Sequence, residues 1–347
     1  MPETASPSRP ASPHEARWWD VAPDGRVHCF LCPRHCRLRD GQAGFCSIRA
    51  NRGGRLRDLA YGAPAAVHVD PIEKKPLYHF LPGSSVLSLG AVGCSLACSF
   101  CQNWDLSRSR PETSAHTWLP PDEVVALALR QGCSSIAFTY NEPTIWAEYV
   151  LDVCAAARGS GLAMVMVTNG YITPEAFHDV YDRIDAANVD LKALSEDFYR
   201  KLARARLEPV LETLRRLAAE TRVWVEVTNL VIPSLNDDPD DLRRLSDWVV
   251  GHLGPDVPLH FSAFHPDHEL RDLPPTPPET LRAARRIARA AGLRHVYEGN
   301  VQGEGSHTRC PGCDRTLIRR SWNQVLESRI ERGRCPDCGT AIAGRWS

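Results

Sequence analysis

Gly93-Cys94-Ser95-Leu96-Ala97-Cys98-Ser99-Phe100-Cys101 sets three cysteines within eight residues, spaced C-x3-C-x2-C, with an aromatic residue before the last. Three thiolates so close can hold three corners of a cubane iron-sulfur cluster, and with no fourth cysteine nearby one iron is left open to bind a second molecule. Zinc is the competing occupant, but it wants a fourth ligand at once and fits three thiols poorly. The residues just before, 86–90, are an apolar run that reads as a short strand. The loop therefore falls at the carboxyl end of a strand, where parallel barrels keep their chemistry.

Beyond the loop, strand and helix alternate. Apolar runs at 135–140, 163–168, 187–191, 223–232 and 259–264 predict strands. Helices are predicted at 121–130, 145–158, 174–183, 195–220, 240–252 and 278–291. Such alternation gives a parallel sheet with right-handed crossovers. Six units over residues 83–305 predict an α/β fold, a partial (β/α)6 TIM-type barrel.

Eleven of the 13 cysteines fall into three tight groups, which is metal usage and not disulfide stapling. Cys29, Cys32, Cys36 and Cys46 make the first, inside a small amino-terminal Cys-rich module and connector at 26–82. Glycines between the pairs let the backbone fold around a metal, and His35 is a substitute ligand. All-sulfur coordination suits zinc and a second 4Fe-4S cluster equally. The last group, Cys310-Pro311-Gly312-Cys313 and Cys335-Pro336-Asp337-Cys338, reads as two knuckles closing a zinc ribbon at 306–347, with rubredoxin-like iron as the alternative. Cys133 and Cys154 lie in apolar surroundings and receive no role.

A leader at 1–25, rich in Pro, Ser and Ala over its first half, is expected to be disordered. The segment Asp70-Pro71-Ile72-Glu73-Lys74-Lys75-Pro76 and its continuation to Gly83 read as a solvated connector, because the prolines forbid a regular element. A net charge of -1 gives no basic bias, so a nucleic-acid partner is not expected. No run approaches ~20 apolar residues, and the amino terminus lacks a signal-type apolar core, so no membrane partner and a cytoplasmic location are expected.

Polar residues gather where the predicted strands end: Thr139-Tyr140-Asn141-Glu142-Pro143, Thr168-Asn169-Gly170, Asp190-Leu191-Lys192, Thr228-Asn229 with Ile232-Pro233-x3-Asp237-Asp238, and Phe264-His265-Pro266. Each alone would serve as a turn or helix cap. Together with the cysteine loop they resemble the radical S-adenosylmethionine (SAM) superfamily, in its branch of pyruvate formate-lyase activating enzymes. The amino-terminal cysteines, the 70–76 segment and the carboxyl-terminal pairs are more similar still to the radical SAM component of the AmmeMemoRadiSam system.

The resemblance implies that Cys94, Cys98 and Cys101 ligate a 4Fe-4S cluster whose open iron chelates SAM. One injected electron then cleaves SAM to methionine and a 5'-deoxyadenosyl radical, which abstracts hydrogen from a substrate. It also implies oxidoreductase or activase-type chemistry, a one-electron reductant such as ferredoxin or flavodoxin, and the partner proteins of the AmmeMemoRadiSam system. Asn141 and Glu142 fall where the superfamily meets the SAM ammonium, although Tyr140-Asn141 replaces its Gly-Gly. Asp190 would meet the ribose and Lys192 the SAM carboxylate, while Asn169 and His265 line the cofactor. Val167 stands where the activating enzymes carry Asp before Thr-Asn-Gly. In charge terms, a lysine, a glutamate and an aspartate answer the carboxylate, ammonium and ribose of SAM. Asp190 and Lys192 also share a strand face, so a local ion pair is the competing reading. The other functional readings are a glycyl-radical enzyme activase and a metal-binding interaction protein without catalysis.

Overall fold

Runs of β-branched and small apolar residues become the strands, and each helix that follows buries one stripe against them. The computed structural model describes residues 13–111 and 117–347. They fall into two compact units. The first holds the described part of Met1–Val69 with Val86–Ala97 and Asn103–Ile184, the second Asp70–Ser85, Cys98–Gln102 and Asp185–Ser347.

The first unit opens with short antiparallel strands: β1 (His14–Glu15), β2 (Trp19–Val21), β3 (Val27–Cys29), β4 (Cys36–Leu38), β5 (Arg49–Arg52) and β6 (Arg55–Asp58). They form two three-stranded sheets, β2-β3-β4 and β1-β6-β5. The leader expected over 1–25 is therefore too long, because β1 and β2 lie inside it, where His14, Glu15 and Trp19 find strand partners. Residues 1–12 of that leader lie outside the described residues. After β7 (Ala66–Pro71), the parallel strands β8 (Ser85–Gly90), β9 (Ser135–Phe138) and β10 (Ala163–Thr168) pair in chain order. Helices α1 (Trp104–Arg108), α2 (Pro121–Arg130) and α3 (Ala147–Ala156) connect them, and α4 (Pro174–Tyr181) follows β10. Both α2 and α4 start on a proline, whose missing N–H costs nothing in the first turn.

The second unit carries β11 (Ala186–Asp190), α5 (Glu196–Phe198), α6 (Glu208–Glu220), β12 (Trp224–Val231), α7 (Pro239–Leu253), β13 (Leu259–Ala263), α8 (Pro278–Ala290) and β14 (Val296–Gly299). Its four strands are parallel and in chain order. The parallel α/β architecture is the expected one, and β14 adds a strand to the six predicted. The helix predicted over 195–220 is broken. A π turn at Tyr199–Ala203 ends on left-handed Arg204, and α6 restarts at a proline that cannot continue the earlier ladder.

The ribbon closes the chain with β15 (Thr308–Arg309), β16 (Thr316–Ser321) and β17 (Gln324–Ser328), packed through Leu317, Ile318 and Ile342 around Cys310 and Cys335. Contrary to the expectation of a solvated connector, Lys75 is buried and bonded to Asp70 at 2.7 Å, and His79 is buried between the Ala343 carbonyl and the Tyr297 hydroxyl. The buried Glu226 carboxylate accepts the Tyr78 and His79 backbone N–H groups and His260 Nε2, at 2.7–3.0 Å. The prolines do not keep this stretch irregular either: β7 runs through Pro71, a 3-10 turn follows at Ile72–Lys74, and the Tyr78 and His79 N–H groups are satisfied by a side chain instead of water. Arg320 of β16 is buried too, donating to the Tyr78 carbonyl and to Thr308 Oγ1 at 2.8 Å, with Glu73 3.5 Å away. No helix among the described residues is long and apolar enough to cross a membrane.

Candidate functional site

In the first unit the site begins where β8 and β9 end. A Cβ on Gly90 would come within 2.9 Å of the Thr139 carbonyl, so only glycine lets the two strand ends approach this closely. Asn141 spends its amide on the cysteine loop: Oδ1 accepts from Ala91 N, and Nδ2 donates to the Val92 and Gly93 carbonyls at 3.3 and 2.9 Å. Expected as a cofactor contact, it is seen holding the loop in place. Glu142 is buried, and its carboxylate accepts from Thr144 N (2.9 Å), Thr168 Oγ1 (2.8 Å) and Asn169 N (2.8 Å). Burial raises its pKa, opposed by those three donors. Asn169 in turn donates Nδ2 to Ser95 Oγ at 3.1 Å and lies 3.8 Å from Cys94 Sγ. The Leu96 backbone N–H points at the same sulfur from 3.4 Å. Thus Asn141, Glu142 and Asn169 converge on Cys94.

In the second unit the loop continues through Cys98 and Cys101. Ser99 donates both its backbone N–H (2.8 Å) and its hydroxyl (3.4 Å) to the Leu202 carbonyl, inside the π turn. Glu269 N binds the Ser99 carbonyl at 3.0 Å, and buried Phe100 packs on Phe198. Lys192 extends over the Phe100 ring and pairs with Asp190 at 3.0 Å. The local pair weighed from sequence is therefore present. Burial works to lower the Lys192 pKa, but Asp190, Cys98 and Tyr199 outweigh it and the net direction is up, so the ammonium stays charged. Two residues not assigned from sequence hold this strand end. Asn229 Nδ2 donates to the Leu191 and Lys192 carbonyls, and Asn236 Nδ2 to the Lys192 carbonyl at 2.7 Å. Their place on the strand-end rim was the available signal. Asp237 and Asp238 instead satisfy the Ser234 and Asp240 N–H groups, an ordinary turn and helix cap. His265, just past β13, is exposed.

The two remaining cysteine sets differ in geometry. In the ribbon, Cys310, Cys313, Cys335 and Cys338 have their sulfurs all within 4.8 Å of one another, with Cys310–Cys338 at 3.5 Å and Cys313–Cys335 at 3.7 Å. These match the ~3.8 Å edge of a tetrahedron built on ~2.3 Å zinc-sulfur bonds. Hydrogen bonding from Thr340 brings the Cys338 thiol down to about 6, which favours thiolate at neutral pH. In the first unit, Cys29, Cys32, Cys36 and Cys46 line one cavity together with Arg34, Arg49 and Ser95. Burial pushes the Cys46 thiol up to about 12, with Cys29 adding to the shift, while the Arg49 and Ile48 N–H groups oppose it. A bound cation would offset that cost of holding thiolates in the interior.

The sequence model of the Radical SAM superfamily matches residues 89–246. The chain is 45% identical over 331 residues to an uncharacterized protein of Methanocaldococcus jannaschii, covering 94% of this chain and 98% of that one. It is 25% identical over 114 residues to the (2S)-3-sulfopropanediol dehydratase activating enzyme of Klebsiella oxytoca, covering 33% of this chain and 36% of the relative. In fold it is similar to a radical SAM methyltransferase from Sphaerobacter thermophilus, with a TM-score of 0.51 at 18% identity over 63% of this chain and 68% of that one.

Proposed function

Since this chain belongs to the radical SAM superfamily, we propose that Cys94, Cys98 and Cys101 hold the SAM-binding 4Fe-4S cluster and that the protein cleaves SAM reductively to act on a further substrate. The observation that carries the reading is the tie from Glu142 through Asn169 to Cys94: a buried carboxylate, an amide and a cluster cysteine joined within hydrogen-bonding reach. The donor set fits a cluster, because a backbone N–H and an amide already point at the Cys94 sulfur and Lys192 supplies positive charge near Cys98.

Bound there, the cluster supplies the electron that splits SAM into methionine and a 5'-deoxyadenosyl radical. The chain's own residues bind and orient. Glu142 offers its carboxylate to the SAM ammonium, Lys192 meets the SAM carboxylate, and Asp190 accepts from the ribose hydroxyls. Asn229 and Asn236 fix the backbone that carries Lys192. Asn169 holds Ser95 and Cys94 in register, and His265 lines the cofactor from the end of β13. A one-electron donor of the ferredoxin or flavodoxin kind is the partner, the AmmeMemoRadiSam proteins are the candidate associates, and the compartment is the cytoplasm.

The test is anaerobic: reduced, cluster-loaded protein given SAM should form 5'-deoxyadenosine and methionine in equal amounts, measured chromatographically. S-adenosylhomocysteine in their place would indicate methyl transfer, and no SAM turnover under any reducing condition would overturn the reading. A second reading, activation of a glycyl-radical enzyme, is favoured by the likeness to the Klebsiella activating enzyme. It expects a glycyl radical signal on a partner protein.

A further inference from the structure

The amino-terminal cysteine cage abuts the C-x3-C-x2-C loop directly. A Cβ on Gly93, which has φ +81°, would fall 2.1 Å from the Cys46 carbonyl oxygen, so the cage backbone rests on the residue just before Cys94. Arg34 of the cage donates Nε to the Ser95 carbonyl at 2.9 Å. Ser95, which lines the cage cavity, takes the Asn169 amide on its hydroxyl, and that same amide approaches Cys94 Sγ. Cage and loop therefore share one wall.

The cage is also built differently from the ribbon. Among the described residues the ribbon is the one cysteine group whose sulfurs all close within 4.8 Å. No three of the four cage thiols lie that close together, although all four line one pocket. A single zinc draws its sulfurs onto ~3.8 Å edges. A cubane, with irons and sulfides standing between its ligands, spreads them beyond that. Arg49, which lines the same pocket, is buried and held by Glu148 at 2.7 and 3.0 Å.

We propose that Cys29, Cys32, Cys36 and Cys46 hold a second 4Fe-4S cluster, and that it passes electrons to the SAM-binding cluster through the Cys46–Gly93 and Ser95 contacts. This rests on the reading that Cys94, Cys98 and Cys101 hold the SAM-binding cluster. The balance is one electron per event. A reduced one-electron carrier protein takes the cage cluster from its 2+ to its 1+ state. The cage cluster returns to 2+ as the SAM-binding cluster goes from 2+ to 1+, and no proton or ligand is exchanged.

Two measurements on the full chain test it. In the Cys94→Ala/Cys98→Ala/Cys101→Ala protein, anaerobic reconstitution should leave one 4Fe-4S complement and one zinc per chain, with a paramagnetic resonance signal appearing on reduction. Two zincs and no acid-labile sulfide would overturn the cluster assignment. This readout needs no SAM, so it stands apart from a failure of SAM cleavage by the wild type. In a Cys32→Ser/Cys36→Ser protein that keeps its ribbon zinc and its three-cysteine cluster, reduction of that cluster by flavodoxin should slow on the order of tenfold or more, ~1.4 kcal/mol per decade. Reduction by titanium(III) citrate should hold its wild-type rate. Equal rates with flavodoxin would overturn the relay.

Discussion

Replacing Lys192 with Ala separates the two roles available to its ammonium. The side chain is 13% exposed and sits 3.0 Å from Asp190, which is 34% exposed, with the Phe100 ring beneath it. If Lys192 meets the SAM carboxylate, its loss truncates one partner of a largely desolvated charge pair, a change that typically costs ~2–5 kcal/mol. Asp190 already shares the ammonium and solvent reaches both groups, so the lower part of that range applies, ~2–3 kcal/mol or roughly a 30- to 150-fold loss of affinity. If Lys192 serves only Asp190, SAM affinity stays put and the variant loses about 1 kcal/mol of stability or less, the scale of a partly exposed pair. Anaerobic calorimetric titration of SAM into the oxidised, cluster-loaded protein distinguishes these outcomes. Iron and sulfide content serve as the control that the Cys98 side of the loop is intact. An unchanged dissociation constant at full iron content would refute the assigned role.

Other consequences are as direct. Cys310→Ser should remove one zinc per chain and, by hydrogen exchange, open residues 307–347, because the ribbon core packs on its cysteines; wild-type protection without that zinc would count against a structural metal. Asp58, raised to about 7 mainly by burial and then by Glu148, keeps a proton in the folded state that the unfolded chain has released. Its contribution to stability is therefore full below the ordinary carboxylate range and is lost as pH rises to about 7, with a slope near 1.4 kcal/mol per pH unit. Asp58→Asn should flatten that part of a melting-temperature profile, and an unchanged slope would reject the assignment. Gly93→Ala, forced into a left-handed backbone against the Cys46 carbonyl, should lower iron content while zinc is retained; full iron loading would show that the cage and loop do not need this contact.

Much of the architecture could be read from the chain because strands of a parallel sheet are short, apolar and bounded. The expected strand at 163–168 is β10 residue for residue, and the helix expected at 278–291 differs from α8 at one end. What escaped was set by tertiary partners. β14 is four residues long and holds a glutamate, too little for periodicity to register. The stretch after Asp70 looked solvated because its donors are met by Glu226, some 150 residues away, and no local pattern announces that. The site shows the same division. The family resemblance singled out Glu142, Asn169 and the Asp190–Lys192 pair, and the structure joins Glu142 to Asn169 and Asp190 to Lys192, whereas Asn141 turned inward to the loop, and Asn229 and Asn236 became supports of a backbone they are distant from in sequence.

The π turn at Tyr199–Ala203 has a consequence for how this protein tolerates change. The Leu202 oxygen that receives Ser99 belongs to the main chain, so truncating the side chain at residue 202 does not remove it. What the anchor depends on is residue count, since a π turn is a helix carrying one residue too many. Shortening 199–203 by one would let the ladder close regularly and swing that oxygen off Ser99, loosening the cysteine loop without touching a single cysteine. The length of the turn, and not the side chain at residue 202, therefore sets where the cysteine loop is held.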